Sequence, residues 1–294
     1  MRTFAHQHPL AVFLAIAYSA SAAIFAIPLL SNAGIGVIDL DLPGIAPFVL
    51  LDAIALAVAA FVATALADGR AGVSDLRRRV FHFRVHPKWY ALAIFLLPAA
   101  ALAAAVVVGG AGVVTSIAAN SAGLLVVIGA GALLAFVLVN WWEEAAWTGF
   151  ALERLQPRLG PIGASVVTTW LQALVHVPLV FMAGGVTDGR VPPEQIPFCL
   201  VALFVLPIPV RITLTWLYNR ADRSIPIVGL YHAGLGIATG TALIPVVAPD
   251  VNPLWVYAGF AAVASAILIA TRGSLGFGRQ AATPQLTQEA AMAS

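Results

Sequence analysis

The sequence predicts an all-α, polytopic membrane helix bundle of about eight transmembrane helices, with both termini cytoplasmic. Three observations predict it. Of 294 residues, 61% are hydrophobic and only 10% charged, whereas a soluble domain carries about 25% charged residues. Apolar windows of about 20 residues, long enough to cross a bilayer, recur about eight times. Threading those windows as helices then gathers the basic residues on one side.

The first window, 9–30, follows the positive start MRTFAHQHPL and has small residues, as a signal peptide does. Its apolar run continues to Leu30, so it is read as a retained first helix. The remaining windows are 46–67, 89–110, 121–142, 161–183, 196–218, 225–247 and 253–271. Turn and breaker residues separate them: Asn32-Ala33-Gly34, Asp68-Gly69, Gly109-Gly110, Gly160-Pro161, Gly184-Gly185, Pro249 and Pro253. Residues 1–271 thus form a single transmembrane domain, and 272–294 a polar tail read as disordered. No internal repeat is evident, which argues against an inverted-repeat transporter.

With the N-terminus inside, Arg2, the basic residues from Arg70 to Lys88, Arg154, Arg158, Arg220, Arg223, Arg272 and Arg279 face the cytoplasm. Arg190 alone falls outside, and Arg211 lies within the sixth window. Asp39, Asp41, Asp188, Glu194 and Asp250 sit in outer loops. The single cysteine, Cys199, excludes an internal disulfide and a multi-cysteine metal site. No basic patch stands clear of the membrane segments, which excludes nucleic acid as a partner. The stretch RRRVFHFRVHPKWY reads as a cytoplasmic surface element, its arginines meeting anionic lipid and its aromatics an interfacial belt. An alanine-rich chain with one lysine, Lys88, has the composition of a high-GC bacterial protein, so the expected location is a bacterial cytoplasmic membrane.

Few ionisable residues remain at membrane depth: Asp52, Glu143, Glu144, His176, Arg211 and His232. Each is expensive in hydrocarbon and so a functional candidate, or else a satisfied packing group. Convergence at one depth favours function. The segment AAWTGFALERLQ extends the fourth helix to Pro157 and puts Glu153 and Arg154 at the surface. Glu143 then lies about 15 Å deeper, His232 about 10 Å in and His176 about 22 Å in. A carboxylate pair facing two imidazoles is equipment for activating water. Asp52, in FVLLDAIALAV, reads as a capping or packing group.

In their surroundings these residues resemble the CPBP family, the CAAX-protease and bacteriocin-processing intramembrane endopeptidases. That family's pattern is a double glutamate with an arginine four residues later, an aromatic four residues before a histidine, and a histidine four residues before an asparagine. Here EEAAWTGFALERLQPRLGPIGAS is close to the first motif, LVHVP resembles the second, and LTWLYNRADRSIPIVGLYHA is close to the approach to the third. The resemblance covers residues 140–236. It implies metal-free hydrolysis of a peptide bond in a membrane-embedded or lipidated peptide or protein. Glu143 with His176 would activate a water, His232 would help hold the oxyanion, and Glu144 would support the site electrostatically. No cofactor is expected, although the family has also been read as zinc-dependent and Glu/His sets do bind zinc.

Three positions depart from the pattern. Thr148 stands for the arginine, Gln172 for the aromatic, and Gly236 for the asparagine. Gly236 and Gly240 also fit a small-xxx-small packing motif, the preferred reading of that glycine. Arg211 either snorkels to the cytoplasmic face or supplies the positive charge missing at position 148. Three functions therefore stay open: an intramembrane endopeptidase, a catalytically decayed relative acting as membrane scaffold or immunity-type protein, and a proton-coupled carrier using the Glu/His set as a relay.

Overall fold

The computed structural model describes residues 2–185, 191–240 and 243–278. Arg190, Asp188, Arg279 and the tail beyond 278 therefore lie outside the described residues, which contain helices and no strand. A short helix α1 (Arg2–Gln7) leads into α2 (Pro9–Leu30), followed by α3 (Ala46–Val80) and α4 (Pro87–Val126). Next comes one rod that alternates between α and π turns. It runs through π-helix Val127–Gly131, α5 (Ala132–Ala135), π-helix Phe136–Asn140, α6 (Trp141–Ala146), π-helix Trp147–Leu152 and α7 (Glu153–His176). A 3-10 turn, Val177–Phe181, precedes α8 (Ile196–Val205), α9 (Ile208–Arg220), α10 (Ile225–Thr239), the one-turn α11 (Ile244–Val247) and α12 (Leu254–Thr271).

Among the described residues, six segments are long and apolar enough to cross a membrane, and one of them, Pro87–Phe181, runs for 95 residues. That is several times the length of a single crossing. Two glycines break it: Gly110 and Gly160 have φ of 65° and 68°, where a Cβ would be strained. Divided there, it yields three runs that contain the third, fourth and fifth windows, the middle one, between Gly110 and Gly160, being much longer than the window expected there. Gly69, with φ 65°, breaks α3 in the same way.

The prolines act differently from expectation. The helix does not end at Pro157 but passes through it to Gly160. The expected sixth helix instead splits at Pro207, which lacks an N–H, into α8 and α9. The fifth stops as an α-helix at His176, where Pro178 follows and the chain tightens into the 3-10 turn.

Small residues let the helices approach closely. On α3, Ala53, Ala57, Ala60, Ala63 and Ala67 are buried at helical spacing. On α4, Ala93, Leu97, Ala101 and Ala105 form the buried stripe. A Cβ at Gly259 on α12 would come within 2.8 Å of the Ala100 carbonyl oxygen. Phe13 of α2 is fully buried against Trp147 and Phe150, with ring centroids 5.6 and 4.7 Å apart. Outward faces expose Val58, Val62, Leu133, Leu134 and Ile269, the apolar surface that a bilayer covers. The protein is thus an all-α integral membrane bundle.

Beyond Gly69, one arginine of the expected surface stretch turns inward. Arg79 is 7% exposed and donates to the Gly149 carbonyl at 2.8 Å and to the Tyr218 hydroxyl at 3.0 Å. Tyr218 donates to Glu153 at 2.5 Å, and Arg223 grips the same carboxylate at 2.8 and 2.6 Å. This cluster ties α3, α7, α9 and the α9–α10 turn together. Ser224 then caps α10, accepting from the Ile227 N–H at 3.4 Å, and so starts the helix that carries His232.

Candidate active site

Asn140, Glu143, Glu144, Trp147 and Thr148 recur at intervals of three and four, so they share one helix face. π-turns flank α6 on both sides. Such turns locally shift the helical face and concentrate at functional sites. Glu143 and Glu144 both end up buried, at 4% and 0% exposure.

Glu144 is the hub. Arg211 of α9 reaches it with both nitrogens, Nη1 to Oε2 at 2.8 Å and Nη2 to Oε1 at 3.1 Å. Thr148, one turn on, donates a close hydrogen bond to Oε2 and accepts from Arg211 Nη1 at 3.1 Å. His232 Nδ1 lies 2.8 Å from Oε1, a close charge contact off the line of a hydrogen bond. An isolated buried carboxylate would cost several kcal/mol, and a two-pronged guanidinium is the fork that matches it. Arg211 therefore does not snorkel; it is buried against Glu144. Position 148 holds no cation, and Arg211 puts one on the same carboxylate from another helix.

Glu143 is joined less tightly. Gln172 Nε2 donates to its Oε2 at 3.4 Å, while the Gln172 carbonyl oxygen accepts from Arg211 Nη2. His232 Nδ1 lies 3.7 Å from the same Glu143 oxygen. Gln172 thus links Glu143 to Arg211, the partner of Glu144, through one amide, a task an aromatic could not perform.

The two imidazoles both turn Nδ1 inward, but only His176 makes a hydrogen bond with it. His176 Nδ1 lies 3.0 Å from the Gln172 backbone oxygen, which can only accept, so Nδ1 carries the proton and Nε2 is left as the acceptor. His232 likewise turns Nδ1 toward carboxylates. Both rings line a cavity of about 550 Å³ together with Asn140, Gln172 and Arg211. Its remaining wall is mainly apolar and comes largely from α8 and α9, including Phe198, Ala202, Leu206 and Val210. That size suits a small ligand or a stretch of peptide. The carboxylates stand behind the imidazoles and not on the wall.

One expectation needs correction. Gly236 is not a packing glycine: it lines the cavity, and a Cβ there would meet nothing within 4 Å. Gly240 closes the helix's own last turn, its N–H on the Gly236 oxygen at 2.8 Å, so the small-xxx-small pattern marks no helix contact. Asp52 is a packing group, one of the two roles expected for it, and not a cap: inside α3 it is 3% exposed and accepts from Ser21 Oγ of α2 at 2.5 Å. It lies within Coulombic reach of Glu143 and His176.

Among the described residues, no group of three or more His, Cys, Asp and Glu side chains is placed to hold a metal ion. The Arg211 guanidinium also takes both Glu144 oxygens, so the donor set fits zinc poorly. Sequence reading missed Asn140. Its signal was available: it precedes the acids by three and four residues, on their face.

Residues 125–238 match the family model described as Rce1-like, type II CAAX prenyl endopeptidase Rce1-like. The match spans the acids, both imidazoles and Arg211, and it bears out the resemblance to the CPBP/CAAX-protease family over that stretch. No curated protein matches the chain.

Proposed function

We propose that this integral membrane protein, of the CAAX-protease type over residues 125–238, is a metal-free intramembrane endopeptidase. The observation that carries the reading is one cavity onto which two imidazoles, His176 hydrogen-bonded through Nδ1 and His232 with Nδ1 against Glu144, present themselves in front of a buried carboxylate pair. A water in the cavity gives its proton to His176 Nε2, with the Glu143 carboxylate behind the wall supporting the charge, as its oxygen attacks the scissile carbonyl carbon. His232, in its protonated form, offers its Nε2–H to the oxyanion, and the carboxylates behind Nδ1 balance its charge. The proton then passes to the leaving amine as the C–N bond breaks, giving an acid and an amine. Glu144 orients His232 and keeps Arg211 in place.

The substrate is a membrane-embedded or lipidated peptide or protein, entering from the bilayer along the apolar wall of α8 and α9. Both termini are cytoplasmic, in keeping with the basic residues around Arg79 and Arg223, and the membrane is a bacterial cytoplasmic membrane.

The test is purified protein in liposomes with a library of membrane peptides. Cleavage that disappears in Glu143→Ala and His176→Ala, and persists with a metal chelator, is the expected result. Equal background in wild type and variants would instead identify a non-catalytic scaffold. The observation favouring that second reading is Gly236, which brings no hydrogen-bonding side chain to the cavity.

A further inference from the structure

Asn140 ends the π-helix Phe136–Asn140, one residue before α6. It is half-buried and lines the cavity beside His232 and Gly236. Among the described residues its carboxamide has no hydrogen-bond partner. Apart from the imidazole Nε2 atoms, the polar side chains of the same wall are directed to other groups. Gln172 holds Glu143 and Arg211, His232 faces Glu144, and His176 bonds the Gln172 carbonyl. Thr169, also on the wall, donates to the Ser165 carbonyl at 2.9 Å.

An unpaired amide in an apolar span is costly. Its partner is therefore expected to be whatever polar group enters the cavity. A carboxamide N–H is a fixed dipole with no proton to lose, and it suits an oxygen whose negative charge grows during reaction. Gly236 leaves room for that oxygen, since nothing stands within 4 Å of where its Cβ would be. Resting on the hydrolase reading above, we infer that Asn140 is a further catalytic residue, donating through Nδ2 to the scissile carbonyl oxygen of the substrate.

The experiment measures kcat and KM for one cleaved membrane peptide in liposomes, with wild type, Asn140→Leu and Asn140→Asp. Asn140→Asp keeps the volume and shape but replaces the donor by a carboxylate oxygen, which accepts when ionised. The expected result is a fall in kcat of about 10²–10³ in both variants with KM little changed. Thiol labelling of Cys199 at the wild-type rate checks that the cavity is still formed. Unchanged kcat in Asn140→Asp overturns the inference and leaves the hydrolase reading standing. So does a loss confined to Asn140→Leu, because that assigns Asn140 to packing. Wild type that cuts no peptide overturns both.

Discussion

Arg211 and Glu144 meet across two helices, guanidinium to carboxylate at 2.8 and 3.1 Å, with Glu144 wholly buried and Arg211 nearly so. Removing one partner leaves an uncompensated charge at membrane depth. Arg211→Met is expected to lower stability by about 3–5 kcal/mol, read as thermal unfolding in detergent. Adding Glu144→Gln should restore much of that, because the buried charge goes with its partner. A double variant no more stable than Arg211→Met would show that the pair contributes nothing beyond the arginine's packing.

Thr148 makes a smaller version of the same prediction. It donates to Glu144 and accepts from Arg211, and Thr148→Val keeps its shape while deleting both bonds. The expected loss is about 1–3 kcal/mol, with activity falling as Glu144 loses its orientation. Thr148→Ser should retain both, and a Ser variant as unstable as Val would point to methyl packing.

Two glycines, one on α10 and one on α12, should respond oppositely to alanine. Gly236→Ala adds a methyl to open space and should change stability by no more than about 0.5 kcal/mol. Gly259→Ala drives a methyl to within 2.8 Å of the Ala100 carbonyl oxygen, and overpacking of that kind costs about 1–3 kcal/mol. Equal effects in unfolding experiments would place Gly236 in a packed contact after all.

The acids, the imidazoles and Arg211 stood out in the sequence because charge is rare in so apolar a chain. Position 148 was informative for the same reason, since a buried acid pair without a cation nearby demands one from elsewhere. Gly236 was misread because a glycine carries no sign of which way it faces. The apolar cavity wall could not be read at all. Ala202, Leu203 and Leu206 face a cavity, and Leu133 and Leu134 face outward, yet all five are apolar and leave no periodicity to separate them. Helix breaks fell at glycines 69, 110 and 160 as their turn signals suggested, while Pro157 was accommodated without ending its helix.

Adjacent arginines on α3 separate buried from surface charge. Arg78 pairs with Asp75 at 2.5 Å, but its side chain is 71% exposed. Arg78→Ala should therefore cost less than about 0.5 kcal/mol. Arg79 is buried and bonds the Gly149 carbonyl and Tyr218. Arg79→Met strips partners from two buried oxygens, with an expected cost of about 2–3 kcal/mol. Similar melting temperatures for the two variants would show that the arginine cluster is a solvated surface feature.

Cys199 gives direct access to the cavity. It is the chain's single cysteine, half-buried, and forms part of the cavity wall on α8. A maleimide has one thiol to find, and the rate at which it reacts reports how open the cavity is to reagents of a given size. A cleaved membrane peptide present in excess should slow the labelling, since peptide and reagent compete for the same space. A bulky adduct should abolish cleavage in wild type and leave Cys199→Ser untouched. Full activity in the quantitatively labelled protein would mean that substrate reaches the imidazoles by a route other than the α8–α9 wall.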